Sequence, residues 1–276
     1  MCIQFPCPIE NPTAAEQKIL EFIESHREEF LFMTIGQLSE QLGVSQATIS
    51  RFARHTGCGD FKALKSLVIS QNHGEGPAAK LAGTLLQEEG FSLSGYLFRQ
   101  QQYLEKTAEH LTEEEFRKAA AKIMEADRIF VHGKSASSFV AGLLFFRLRR
   151  LGLDVSLLPS GGSEIAEGLA RAKKGDLVIL FSFSKLSREG RVILDCAKET
   201  GYDTLAFTGR LHAPLEEQAD INLYVYRGPQ KEYHSMTAAT AVVDALVVAV
   251  SEQLGGEGAR CLKRIHEIKK KYSNFT

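Results

Sequence analysis

The chain lacks anything that reads as an export signal: its first residues, MCIQFPCPIENP, hold no basic stretch followed by an apolar run. It also lacks a long hydrophobic run. The most apolar stretch, around residues 240–250, is short and interrupted by Asp244, which predicts that nothing here spans a bilayer. Five cysteines (Cys2, Cys7, Cys58, Cys196 and Cys261) fall without C-x-x-C spacing, a pattern of reduced thiols rather than of a disulfide framework or redox motif. No internal repeat, low-complexity tract, metal-ligand motif or cofactor motif stands out, so neither metal nor cofactor is expected. These absences predict a cytoplasmic protein with no membrane partner. What is present is ordinary: 276 residues, 44% hydrophobic and 24% charged, enough for two globular domains.

The texture of the chain changes in the middle. Residues 13–70 read as short helices without a strand pattern, with Ile19, Leu20, Ile23 and Phe30 near helical spacing in residues 14–30. The stretch NHGEGP, residues 72–77, ends that block as a linker. An amphipathic segment follows to about residue 126, with Leu81, Leu85, Leu86, Leu97, Tyr103 and Leu104 as expected buried positions. From Asp127 onward, β-rich runs (RIFVH, DVSLL, LVILFSF, TLAFT, INLYVY) alternate with helical patterns, which predicts a parallel sheet with helices on both faces. The expected architecture is α/β: an all-α helix-turn-helix domain over residues 1–76, a helical linker over 77–112, and a three-layer αβα parallel-sheet domain over 113–276.

The sharpest signal of the first half is TIGQLSEQLGVSQATISRFARHTG, starting at Thr34. Thr34 is placed to cap a helix that turns Leu38 and Leu42 inward and stops at Gly43, where a positive φ is cheap. Val44 packs in the turn, Ser45 caps the next helix, and Ile49 and Phe52 fall on its buried side. Ser45, Gln46, Ala47, Thr48, Ser50, Arg51 and Arg54 fall on or beside the other face, and Thr34 at the start of the first helix is expected to contact DNA with them. That set is small, amide-bearing or cationic, suited to the major groove of double-stranded DNA. Ser39 stands where a small Ala is usual in such motifs. Charge is divided: residues 1–76 hold six Lys+Arg against nine Asp+Glu, whereas residues 45–66 hold Arg51, Arg54, Lys62 and Lys65 against Asp60 alone. The acid sits mainly in the first helix, which is expected to face away from DNA.

In the second half, VHGKSASSF (residues 131–139) imitates the end of a nucleotide-binding P-loop. That loop requires a glycine five residues before Gly133, and Arg128 stands there, followed by the strand-like Ile-Phe-Val-His. What is left is a tight strand-to-helix turn, Gly133-Lys134-Ser135-Ala136-Ser137, with hydroxyls at the start of a helix that either cap it or bind an anion. A second turn of the same kind, SFSKLSREG, carries Ser182, Ser184 and Ser187 into another helix. Both turns lie at the carboxyl ends of strands expected to be neighbours, where open α/β sheets bind ligands. Their hydroxyls suit a small phosphate and sugar hydroxyls, and no acid is expected in these turns to build a metal or carboxylate-dyad site.

Taken together, these motifs resemble the RpiR family of bacterial transcriptional regulators along nearly the whole chain. SQATISRFARHTGCGDFKALK resembles the family's recognition helix and the segment after it. VHGKSASSFVAGLLFFRLRRLGLDV, KKGDLVILFSFS and AVVDALVVAV resemble parts of a sugar isomerase (SIS) domain of flavodoxin-like fold. The resemblance implies a DNA-binding homo-oligomer, dimer or tetramer, whose SIS domain senses a phosphosugar and changes operator binding. It implies ligand contacts from Ser137, Ser182, Ser184 and Ser187, within turns that also contribute Gly133, Lys134, Ser135 and Lys185. The chain departs from the family pattern twice: Ser135 stands where a second glycine is common, and Lys185 stands for the glycine of S-x-S-G-x-T.

Lys185 either supplies a charge to the phosphate directly or reshapes the loop, and retained anion binding is the expectation. The rival reading is a phosphosugar isomerase with an accessory helical domain. An isomerase needs a general base near the sugar carbons. The candidates are Glu232 and His234 in QKEYHS, before a long helix expected over about residues 235–254, and His132 on the first strand; their simpler roles are a helix-start acid and strand-end polar residues. No catalytic residue is expected. The C-terminal segment CLKRIHEIKKKYSNF reads as an amphipathic helix with Leu262, Ile265, Ile268 and Tyr272 on one face, packing on its own fold or at a subunit interface.

Overall fold

A computed structural model of the chain describes residues 3–71, 76–86 and 91–273. It divides into two compact units, residues 1–99 with 228–234 and residues 100–227 with 235–276.

The first unit is helical: α1 (Ala14–Ser25), α2 (Arg27–Phe32), α3 (Ile35–Leu42), α4 (Gln46–His55), α5 (Phe61–Gln71) and α6 (Pro77–Leu85). Residues 14–30 form two helices rather than one, broken at His26, whose ring stacks on Phe22 with centroids 4.9 Å apart. Of the expected linker, residues 72–75 lie outside the described residues; Gly76 and Pro77 start α6 as N-cap and first helical residue. Ile19, Ile23, Phe30, Leu38, Ile49, Phe52 and Leu64 are fully buried in one core, each side chain worth about 1.5–3 kcal/mol of transfer free energy. Residues 228–234 belong to this unit: the Tyr233 amide donates to Thr84 Oγ1 at 2.7 Å, and the Lys231 carbonyl lies where a Cβ on Gly83 would have to sit.

One cation of this unit is inside it. Lys65, counted above with the charges that follow the recognition helix, is buried, and its ammonium donates to the Met33 carbonyl at 2.6 Å. Burial pulls its pKa down to about 8. The unfolded chain therefore binds the proton more tightly than the folded one. This group works against folding below pH 8, and stability should rise as pH climbs from about 8 towards the unfolded value near 10.5. We expect Lys65→Met to stabilise the protein at pH 7 and to flatten that rise. Urea titrations at pH 7 and pH 10 check both, and an unchanged pH slope in the variant would assign the rise to another group.

The second unit contains the rest of α7 (Leu93–His110), then α8 (Glu113–Glu125) and a regular alternation. This runs β1 (Ile129–Gly133), α9 (Ala136–Arg150), β2 (Val155–Leu157), α10 (Glu164–Leu169), β3 (Leu177–Ser182), α11 (Arg188–Thr200), β4 (Asp203–Thr208), a 3-10 turn at Leu215–Glu217, β5 (Ile221–Tyr224), α12 (Thr237–Leu254) and α13 (Gly256–Lys271). The five strands form one parallel sheet in the order β2-β1-β3-β4-β5. Strand residues alternate between two cores. Ile129, Val131, Ile179 and Phe207 face α8, α9 and α12, while Phe130 and Val178 face α10 and α11. This is the three-layer αβα arrangement, with near-continuous apolar strands because both faces are covered. β1 and β3 are hydrogen-bonded neighbours, Gly133 level with Phe181, so the two serine turns emerge side by side at their carboxyl ends.

Three expectations about packing are corrected. Leu81, Leu85, Leu97 and Leu104 are exposed; only Tyr103 of the named set is buried, with Leu86 half-buried. α6 buries small residues, Ala82 and Gly83, where backbone comes close, and α7 buries Gln100, Tyr103 and Thr107, a stripe that misses its leucines. The stretch around residues 240–250 is not short: α12 has 18 residues with mean hydropathy 1.4, apolar and long enough to cross a membrane by those measures alone. It instead packs on α8 and α9, burying Ala238, Ala239, Val242, Val243, Leu246 and Val250. α13 packs on α9 and α12 with Leu262 and Ile265 half-buried, but Ile268 and Tyr272 are exposed.

Candidate functional site

The helix-turn-helix is built by its caps. Thr34 closes a capping box with Gln37, Gly43 ends α3 at φ 63°, and Ser45 Oγ accepts the Thr48 amide at 3.1 Å. Such a cap is worth about 1 kcal/mol. Ser39 supplies a bond that alanine would not: its hydroxyl donates to the Val44 carbonyl at 2.6 Å, tying α3 to the turn. With Ile49, Phe52 and Ala53 buried, α4 presents Gln46, Ala47, Arg51 and Arg54 to solvent, with Thr48 and Ser50 half-buried beside them. Arg51 reaches Thr48 Oγ1 only at 3.5 Å and Arg54 the Ser50 carbonyl at 3.4 Å, and no ion pair holds either among the described residues. One acid of α1 does not face away from this helix: Glu16 bonds His55, the last residue of α4, at 2.8 Å. That bond, then the Thr13 amide, holds its carboxyl below the ordinary range.

At the sheet, the two turns close around a pocket of about 160 Å³. Lys134, Ser137, Ser182, Ser184, Lys185 and Ser187 line it; Gly133 and Ser135 shape the turn without lining it. Ser187 also caps α11, accepting the Gly190 amide at 3.0 Å, and Ser182 donates weakly to the Lys185 carbonyl at 3.4 Å. Gly133 has no room for a side chain, since a Cβ there would sit 2.6 Å from the Ser137 carbonyl oxygen and 2.9 Å from Ala141 Cβ. Ser135 holds φ 52° and ψ −130°, a backbone that glycine enters freely and serine does not. The position where the family favours glycine is thus glycine-like in conformation here too. Such strain costs about 1–3 kcal/mol. We expect Ser135→Gly to stabilise the protein by about 1 kcal/mol after the added flexibility of the unfolded chain is deducted; a lower melting temperature in thermal unfolding would count against strain at this residue.

The charges around the pocket differ in what they are free to do. An acid does reach this end of the sheet, against expectation, because the first turn of α11 points Glu189 back at β1. Lys134 Nζ lies 2.9 Å from its Oε1. The Lys134 ammonium first, then the backbone amide of Glu189 itself, holds that carboxyl near 2, so Lys134 is already neutralised. Arg227, just after β5, and Lys185 are cations of the pocket with no carboxylate partner among the described residues, and Arg227 is the more enclosed of the two. It is half-buried, burial pulls its guanidinium down to about 10, and it stacks 4.0 Å over the Phe183 ring. Its nitrogens reach Ser184 Oγ at 3.4 Å and the Met236 sulfur at 3.8 Å, with no carboxylate partner among the described residues. Sequence reading missed it; the only signal was a cation directly after the last strand. His132 lines the same pocket from β1, its Nδ1 3.1 Å from the Pro159 carbonyl.

A larger cavity of about 330 Å³ lies beside β4 and β5, but its cations Arg210 and Lys118 are paired with Glu217 and Glu114. Glu232 and His234 fall in the first unit and do not line the serine pocket. Among the described residues, no three His, Cys, Asp or Glu side chains are grouped to share a metal ion.

Comparison with known proteins agrees at both ends of the chain. The family model for the helix-turn-helix domain of the rpiR family matches residues 8–73, and that for the SIS domain matches residues 122–249. An uncharacterized HTH-type transcriptional regulator of Caldanaerobacter subterraneus subsp. tengcongensis is 25% identical over 264 residues, covering 93% of this chain and 92% of that protein. The sugar isomerase domain of an RpiR transcription factor from Sphaerobacter thermophilus is 26% identical with a TM-score of 0.59, over 63% of this chain and 98% of that one. The Vibrio vulnificus NanR protein, solved in complex with ManNAc-6P, shares the fold at 21% identity and TM-score 0.59 over 94% of each chain. With its helix-turn-helix and its SIS domain matched in order, and a regulator aligned along nearly its full length, the chain belongs to the RpiR family of transcriptional regulators.

Proposed function

We propose that this regulator binds operator DNA through α4 and senses a phosphosugar in the pocket between its two serine turns. The observation that carries the second half is Arg227: a half-buried cation with no carboxylate partner among the described residues, beside Ser182, Ser184 and Ser187 at the carboxyl ends of parallel strands. A desolvated cation without a counter-ion is unfavourable unless an anion completes it. A phosphate monoester brings that charge, and the hydroxyls and amides of two helix starts bring the donors. ManNAc-6P, the ligand bound by NanR, is the first effector to try. Lys185, also on the pocket, adds a second positive charge where the family usually has backbone alone.

The protein is read as a cytoplasmic sensor rather than an enzyme. Glu189, the acid beside the pocket, titrates near 2, far from the pKa a general base needs at neutral pH. The active form is read as a homodimer. α9 and α12 pack on each other and leave apolar side chains outside, Phe139 81% and Phe146 43% exposed on the one and Val248 68% on the other. Exposed apolar faces of this kind mark association surfaces. A two-fold dimer calls for a roughly palindromic operator with half-sites one helical turn or a multiple apart. Ligand and DNA must then alter each other's affinity by the same factor.

The test is thermal unfolding against a panel of sugar phosphates, with the unphosphorylated sugars and ATP as controls. A rise in melting temperature with one phosphosugar and not with its parent sugar names the effector. No rise with any member removes the sensor half of the reading and leaves the DNA-binding half to be tested on its own.

A further inference from the structure

His132 is an unusual residue for its place. It sits on β1, 3% exposed, on the same face of the sheet as the core residue Phe130, where an apolar side chain would be the cheaper occupant. Its Nδ1 lies 3.1 Å from the Pro159 carbonyl oxygen, which can only accept, so the ring proton is on Nδ1 and Nε2 carries a lone pair. Burial favours the neutral ring. Nε2 itself is enclosed and has no hydrogen-bond partner among the described residues, although His132 lines the pocket. Lys134, the next residue but one and a cation of the same pocket, is engaged by Glu189. A buried acceptor is costly to leave unmet, and the donor it lacks can come from what fills the pocket.

On the reading that this pocket takes a phosphosugar, we infer that His132 reads the carbohydrate part of the effector. Nε2 accepts a hydrogen bond from a ligand hydroxyl or amide N–H, while Arg227 and the serine turns hold the phosphate. The pocket therefore separates phosphate monoesters that carry donors from those that carry none. Isosteric loss of the acceptor removes this discrimination and leaves phosphate binding in place, because the phosphate's partners lie on other elements.

The experiment compares the tightest-binding sugar phosphate of a panel that includes ManNAc-6P with methyl phosphate at pH 8, where methyl phosphate is a dianion without a donor. Dissociation constants are measured for the wild type, His132→Phe and His132→Gln. The phenylalanine variant should lose about tenfold or more for the sugar phosphate, one hydrogen bond's worth, and stay within about twofold for methyl phosphate. The glutamine variant, with an amide oxygen as acceptor, should recover part of the loss. A second series uses only the wild type and analogues in which each hydroxyl or N–H of the sugar is replaced by a group that cannot donate. One replacement should cost as much as the phenylalanine variant does, so the inference is decided even if that variant fails to fold. Equal losses for both ligands in His132→Phe, or an analogue series with no such position, would overturn the role of His132. If the wild type binds methyl phosphate and no sugar phosphate more tightly, the phosphate cradle stands and His132 falls. If it binds no phosphate ester at all, the phosphosugar reading falls first and this inference with it.

Discussion

Arg51→Ala is expected to abolish specific operator binding while leaving the fold and the effector affinity intact. Arg51 is exposed in the middle of α4, and among the described residues its side chain makes only a 3.5 Å contact to Thr48 Oγ1, so its fork of donors is available to a base edge or phosphate. A bidentate contact to a base is worth about 1–3 kcal/mol. A dimer makes it twice, so the combined loss is at least about thirtyfold, with selectivity falling as well as affinity. Removing an exposed side chain of this kind changes stability by no more than about 0.5 kcal/mol. Fluorescence anisotropy with an operator selected on the wild-type protein, against a random duplex at fixed salt, separates the outcomes. A loss on the operator alone supports base reading. An equal loss on both, with a shallower salt dependence, makes Arg51 a phosphate contact. Unchanged binding to both would sink the assignment of α4 as the DNA-reading helix.

The second large effect belongs to Arg227. Arg227→Met keeps an unbranched apolar stem but removes the charged head, and phosphosugar affinity should fall by about 2–5 kcal/mol, thirtyfold or more. The same variant should unfold at an equal or higher temperature than the wild type without ligand, since a desolvated cation with no carboxylate partner among the described residues weighs against the empty folded state. Opposite signs for empty-state stability and ligand affinity are the signature of a binding residue rather than a structural one. Lys134→Met makes the control. It would strand the buried Glu189 carboxylate, which the ammonium holds near 2, and so should destabilise the protein at neutral pH. That penalty should fade as pH falls towards the range where the carboxylate takes up a proton. Ligand affinity unaffected by Arg227→Met, or a lower melting temperature in the empty variant, would make Arg227 structural and move the phosphate elsewhere.

Much of this protein follows from local pattern. The strands are short apolar runs bounded by polar turns, and each lies where its run lies, because burial on both faces of a parallel sheet asks for that composition. The helix-turn-helix was legible residue by residue, since caps, a left-handed glycine and a 3.6-residue apolar stripe are decided within one or two turns of chain. The strained backbone at Ser135 was signalled by the family's glycine there.

What sequence alone could not decide are the pairings made across the sheet. Glu189 pairs with Lys134 from 55 residues further on, and the fold sets Arg227 against Ser184, 43 residues back. Lys65 read as part of a basic surface, and Leu81, Leu85, Leu97 and Leu104 read as core, because periodicity names a face without naming what covers it. Local sequence determined the elements, since propensity, capping and apolar period act over a few residues. Only the tertiary structure decided which charges are spent and which are open, because Coulomb and hydrogen-bond partners are chosen by distance in space, and the parallel crossovers bring residues dozens of positions apart to one edge of the sheet.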